Sequence, residues 1–157
     1  VRRLEAWKIP CLNFVFADQQ GEIGWVAAAL TPVRKGWNGL LPVPGADSQF
    51  EWKGFLKVSE LPQTLNPARH FVATANHKIL PPGYTREIAY DWESPFRQNR
   101  IEERLNERIQ SSTKFTLADF QSIQHENQSL AARQLIGLLK QSAIASPELS
   151  PFVKLLT

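Results

Sequence analysis

The constraint that most narrows the fold is where helix-forming and helix-breaking residues fall. Residues 31–69 hold four of the eight glycines and a succession of prolines, including the stretch PVPG at 42–45. No long helix survives such punctuation. Ahead of it, LNFVFADQQGEIGWVAAAL (residues 12–30) alternates Leu12, Phe14 and Phe16 with Asn13, Val15 and Ala17. It then turns through Asp18-Gln19-Gln20-Gly21 into a second apolar run, Ile23–Leu30. This pattern predicts an antiparallel hairpin, with Phe14 and Trp25 largely buried among apolar neighbours on opposing strands. The segment 31–69 reads as a loop layer with a short strand near Phe50–Trp52, and residues 71–76 read as a third strand.

From residue 94 the signals become helical. Ser94-Pro95 has the form of an N-cap followed by a first-turn proline. Ile101, Leu105 and Ile109 then recur every four residues. Thr116 and Asp119 have capping-box spacing, and Ser129 precedes a run carrying Leu130, Leu135, Leu138 and Leu139. Helices are expected over about 95–110, 117–125 and 130–142. With strands in the first half and helices in the second, the expected class is α+β. We treat residues 1–157 as a single piece, a hairpin and loop layer over about 1–80 and a helical part over about 94–145.

Composition excludes several classes of function. The chain has 157 residues and 43% apolar content, and no apolar run long enough to span a membrane. One cysteine, Cys11, permits no internal disulfide and no cysteine-based zinc site, and it reads as a small core residue. His70, His77 and His125 lack the i,i+4 spacing of a helical zinc site. His70 and His125 read as surface residues. No G-x-S-x-G elbow is present. The net charge of +3 is dispersed, so nucleic acid is not expected as a partner. Arg97, Arg100, Arg104 and Arg108 share a helix face, which Glu102, Glu103 and Glu107 are placed to neutralise. A carbohydrate-binding module remains an alternative if Trp25, Trp37, Trp52 and Trp92 form an exposed row, and a nucleic-acid binder is the other alternative if the arginine face is left unneutralised.

FVATANHKILPPGY (residues 71–84) stands apart. An apolar segment ends on Asn76 and His77, and Pro81-Pro82-Gly83 then stiffens the exit. An amide fixed at the end of such a segment can serve its own turn or hold an N–H toward a reacting oxygen.

The ordered series LNFVFAD, GEIGWVAAA, PVRKGWNGLLPVPG, EWKGF, ELPQTLNP, FVATANHKILPPGY, RIEERL and FTLADFQSIQHENQSLAAR, spanning roughly residues 4–145, resembles the penicillin amidase family of N-terminal-nucleophile hydrolases. The resemblance implies an αββα sandwich and cleavage of a linear amide by a serine freed at the start of a β chain by self-cleavage. Substrates in such a family include penicillins, acyl-homoserine lactones and lipopeptides. By matched position, Asn76 corresponds to the oxyanion donor, Arg100 to an arginine supporting the site, and Leu12 to a residue of the acyl pocket. Val1 is no nucleophile, and no stretch matches the Ser-Asn-x-Trp type of nucleophile segment. The chain therefore reads as an internal piece of a β chain, inactive by itself. Its expected partners are the other parts of the processed enzyme, and its uncovered sheet edges could pair two copies. No acidic residue matches the family's calcium ligands, so no cofactor is expected. The resemblance also implies a periplasmic or secreted parent.

Overall fold

The structure is a computed structural model that describes residues 2–145, 148 and 150–155; Val1 lies outside them. It divides into two units, Val1–Glu93 and Ser94–Thr157.

In the first unit, β1 (Leu12–Ala17) and β2 (Ile23–Ala28) form the expected hairpin, pairing Leu12 with Ala28 and Ala17 with Ile23. Asp18 makes the turn. Its Oδ1 accepts from the backbone N–H groups of Gln20 and Glu22, each at 2.9 Å, and Gly21 takes φ of +85°. Two short strands, β3 (Pro32–Arg34) and β4 (Trp52–Phe55), form a separate antiparallel pair. The strand expected near Phe50–Trp52 is thus displaced toward Phe55, because residues 48–50 wind into a 3-10 turn capped by Asp47.

The expected strand at 71–76 is not formed. The third member of the main sheet is β5 (Gln63–Leu65), from the segment read as loop, in the order β1-β2-β5. β5 occupies the free edge of β2, and Asn66 fastens it there. Its Oδ1 accepts from Ile23 N–H at 2.9 Å while its own N–H donates to the Ile23 carbonyl at 2.8 Å. This geometry needs Asn66 at φ of +47°, which asparagine tolerates better than most residues. Residues 71–76 pack as irregular chain instead, burying Phe71 and Ala75 between left-handed His70 (φ +59°) and Asn76 (φ +62°).

Burial follows strand position rather than side-chain size. Val26 and Ala28 on the central strand are fully buried, and Val58, Leu61 and Pro62 join them in the core. Phe14 and Trp25, expected to be largely buried, are only half-buried. Phe14 lies on outer β1, where it meets the Trp7 ring edge-on at 5.0 Å. Trp25 alternates with Gly24 and Val26, so it faces away from the buried side of β2. Cys11, expected in the core, is exposed because it precedes the first ladder pair of an edge strand.

In the second unit, α1 (Phe96–Gln110), α2 (Leu117–Gln124), α3 (Leu130–Ala145) and the short α4 (Ser150–Lys154) follow one another. Thr116 and Asp119 form the expected capping box. The Ser129 hydroxyl accepts from Ala132 N–H at 3.2 Å at the start of α3. The cap of α1 differs from expectation: Pro95, not Ser94, takes the cap position without a side-chain bond, and its carbonyl accepts from Asn99 N–H at 2.8 Å. Leu105 and Leu130 are the buried apolar residues described here.

Gly24 gives a direct test of the sheet. A Cβ there would lie 2.7 Å from both Phe16 Cζ and the Thr64 carbonyl oxygen. Gly24→Ala is expected to cost about 1–3 kcal/mol in urea unfolding, the usual range for overpacking. Gly137→Ala, in α3 with open space around it, is expected to gain about 0.5–1 kcal/mol from helix propensity.

Candidate active site

Asn76 sits where the buried segment leaves the core. Ala75 before it is 4% exposed, whereas Asn76 itself is exposed. Its left-handed backbone is unusual for a side-chain-bearing residue, though asparagine is among those that adopt it most readily. Both flanks are restrained. The Asn76 carbonyl accepts from Glu93 N–H at 3.0 Å. Downstream, Pro81-Pro82-Gly83-Tyr84 closes a turn with Tyr84 N–H donating to the Pro81 carbonyl at 3.1 Å and Gly83 at φ +78°. That is the glycine position of a type II turn. The Tyr84 hydroxyl donates to the Glu60 carbonyl at 2.9 Å, and Arg86 pairs with the Glu60 carboxylate at 2.8 Å. Burial, the larger effect, raises the Tyr84 pKa, as does Glu60, whereas Arg86 lowers it. The hydroxyl therefore stays protonated and able to donate.

Leu12, at the first position of β1, is 45% exposed and lines an apolar groove of about 360 Å³. Ala27, Leu30, Leu61, Ile79 and Ile88 line it too. The chain leaving Asn76 thus reaches the same groove at Ile79, three residues on. Asn76 is not part of its lining.

Arg100 belongs to the second unit. It lines a cleft of about 330 Å³ with Phe96, Arg104, Glu126 and Leu130. Its guanidinium lies 2.7 Å from Glu126, 3.0 Å from Glu103 and 3.8 Å from Glu107. Burial works against its charge, but the hydrogen bonds to Glu103 and Glu126 prevail and raise its pKa. The same network lowers the carboxylate pKa values. Glu126 is held down by Gln128 N–H and then by Arg100, and Glu103 by Arg133 and then by Arg100. Asp119 is held down chiefly by the Thr116 hydroxyl and backbone N–H, with Arg108 adding to the effect at 3.1 Å. Arg100, Arg104 and Arg108 are thus paired with acids of their own unit.

Of the tryptophans, Trp52 alone is exposed, at 51%, so they form no aromatic row for a carbohydrate. His70 and His125 are exposed. Among the described residues, no three His, Cys, Asp or Glu side chains are grouped to hold a metal ion, and no helix is long and apolar enough to cross a membrane. Two structural devices escaped sequence reasoning: the Asn66 clamp and Arg34, which is stacked on Trp37. The only sequence signal for the first was Asn66-Pro67 directly after Leu65.

The penicillin amidase family model matches residues 1–156, so this chain belongs to the penicillin amidase family. It is 31% identical over 136 residues to an acyl-homoserine lactone acylase, QuiP, of Pseudomonas aeruginosa, covering 87% of this chain and 16% of that protein. It is 33% identical over 99 residues to the penicillin acylase 2 proenzyme of Pseudomonas sp. SE83, covering 63% of this chain and 13% of that proenzyme. Among solved structures, the thermostable penicillin G acylase of Alcaligenes faecalis matches with a TM-score of 0.55 and 26% identity. That match covers 67% of this chain and 19% of the acylase chain. The chain therefore spans less than a fifth of the length of these relatives.

The carboxylate network predicts an acid-sensitive helical unit. Glu103, Asp119 and Glu126 have lowered folded-state pKa values. Their contribution is complete above their ordinary values of about 4 and is lost as pH falls through the lowered folded values. Thermal melts followed by helical circular dichroism should be flat from pH 7 to about pH 5 and then fall. Glu126→Gln should lower stability at pH 7 and weaken that acid dependence.

Proposed function

We propose that this chain is part of an N-terminal-nucleophile amidohydrolase that removes an acyl group from a linear amide. In this reading Asn76 donates its side-chain N–H to the oxygen of the tetrahedral intermediate. The observation that carries it is the conformation of Asn76. An exposed amide follows a buried segment, its backbone is left-handed, and the chain on both sides is restrained by Glu93 and by the Tyr84 turn. Sparsely populated backbone conformations persist where the surroundings enforce them, and functional sites are where they gather. A preorganised neutral donor needs no reorganisation as charge develops on the carbonyl oxygen.

The nucleophile lies outside residues 1–157 in this proposal. It is the N-terminal serine of a processed chain, activated by its own α-amine. The hydroxyl oxygen attacks the amide carbon, its proton passes to that amine, and the tetrahedral oxygen takes its hydrogen bond from Asn76. Collapse expels the amine of the substrate, which receives the proton, and water then hydrolyses the acyl-enzyme. Arg100, already held by three carboxylates, acts as a positioning residue. Leu12 supplies apolar surface to the acyl group. The groove it lines falls within the usual volume range of ligand sites. The parent enzyme acts outside the cytoplasm, with the other processed parts as partners.

In the intact, correctly processed enzyme, Asn76→Ala should lower kcat by about 10²–10³ while KM changes little. Self-cleavage is checked first by the sizes of the chains. Near wild-type kcat in processed enzyme would reduce the amide to a turn residue. Leu12→Phe should shorten the preferred acyl chain, measured as kcat/KM across a series of acyl-amide chromogens. The 157-residue chain alone should release no product above buffer.

A further inference from the structure

Arg34 is held differently from Arg69 and Arg86 of its unit. Arg86 pairs with Glu60, and Arg69 donates to the Phe71 carbonyl. Arg34 Nε is buried without a hydrogen-bond partner, and no carboxylate of the described residues lies within ion-pair distance of the guanidinium. The side chain is nevertheless fixed. Its guanidinium carbon lies 5.5 Å from the centroid of the Trp37 ring, and Trp37 is anchored by its Nε1–H donating to the Phe50 carbonyl at 2.8 Å. On another side it presses on Gly39, where a Cβ would lie 2.6 Å from Arg34 Nε. A glycine at φ +87° leaves room for the stack.

The cleft it lines has a volume of about 240 Å³, bounded by Trp37, Asn38, Arg86, Glu87 and Tyr90. Arg86 is held by Glu60, and Glu87 accepts from the Tyr90 hydroxyl. Arg86, Glu87 and Tyr90 are therefore hydrogen-bonded to partners other than Arg34. A stacked guanidinium presents its edge N–H groups in a fork that matches a carboxylate.

We propose that Arg34 anchors an Asp or Glu side chain presented by polypeptide outside residues 1–157. The proposal rests on reading this chain as one part of a larger amidase. Three observations choose this occupant. The cleft is below the volume range of about 300–1,000 Å³ typical for a whole small-molecule ligand. This chain spans 16% of the acyl-homoserine lactone acylase it resembles. Leu40 and Leu41, on the loop that carries Gly39, are 58% and 76% exposed, giving an apolar surround for a protein contact.

The test uses the full-length protein in a Glu87→Gln background, so that this cleft carboxylate does not titrate. Tyr90 stays protonated over the range used, and Arg86 with Glu60 behind it is common to all variants. Thermal midpoints are compared for Arg34, Arg34→Lys and Arg34→Met from pH 7 to pH 3. A carboxylate paired with Arg34 has a lowered folded pKa. Its contribution is present above the ordinary carboxylate range and lost as pH falls through the folded value. Arg34→Met should melt several degrees lower at pH 7, and the gap should close between about pH 5 and pH 3. Arg34→Lys should fall between the two. If Arg34→Met yields no folded protein, the gap between Arg34 and Arg34→Lys carries the same pH signature. No gap overturns the proposal, as does a gap independent of pH, which would mean a neutral acceptor. Millimolar acetate or decanoate raising the midpoint of the Arg34 protein but not of Arg34→Met also overturns it, by making a free carboxylate the occupant. The melts need no turnover, so a failure of the amidase reading is seen separately, in hydrolysis assays of the same protein.

Discussion

The first unit depends on the pairing of β2 along both of its edges. It alone among the described strands has neighbours on each side, β1 and β5. Val26 and Ala28 are fully buried on it, and Ala27 N–H donates to the Pro62 carbonyl at 2.9 Å just beyond the β5 ladder. Each buried backbone group needs such a partner, and β5 with the Asn66 clamp supplies them. Because β5 takes that edge, the following chain cannot extend the sheet there. It turns at His70, buries Phe71 and Ala75, and emerges at Asn76.

That route explains how the Asn76 backbone is restrained without secondary structure. A strand would fix Asn76 through ladder bonds. Here the buried Phe71 and Ala75 fix the approach, and the Glu93 N–H fixes the Asn76 carbonyl. The proline-rich turn then ties the exit to Glu60 through Tyr84 and Arg86. Three attachments from separate stretches of sequence restrain the chain on both sides of this left-handed residue. In the helical unit, charge does the comparable work: three carboxylates hold Arg100 in one place.

Features set by neighbouring residues were legible in the sequence. The Asp18–Gly21 turn, the Thr116–Asp119 capping box and the helix extents follow from local chemistry, and the structure has them. Features set by distant partners were not legible. Residues 71–76 have the composition of a strand, but β5 takes the second edge of β2. Gln63–Leu65 looks like loop, yet Asn66 clamps it to Ile23 from 43 positions away. Trp25 and Phe14 are large and apolar, but strand order and alternation leave them half-buried. The candidate site residues came from the ordered motifs. Neither Arg34 nor the route of the chain into Asn76 has a signature in the order of residues.

The most direct test of the account separates recognition of charge on the reacting oxygen from binding in general. The measurement is the affinity of the intact, processed enzyme, with Asn76 or Ala at that position, for two ligands. One is an acyl boronate that forms a tetrahedral adduct with the nucleophile, and the other is the matching acid product. A donor that acts on the developing oxyanion should weaken the boronate by about 10²-fold or more and leave the product affinity nearly unchanged. Equal weakening of both ligands, or of neither, would contradict the role assigned to Asn76.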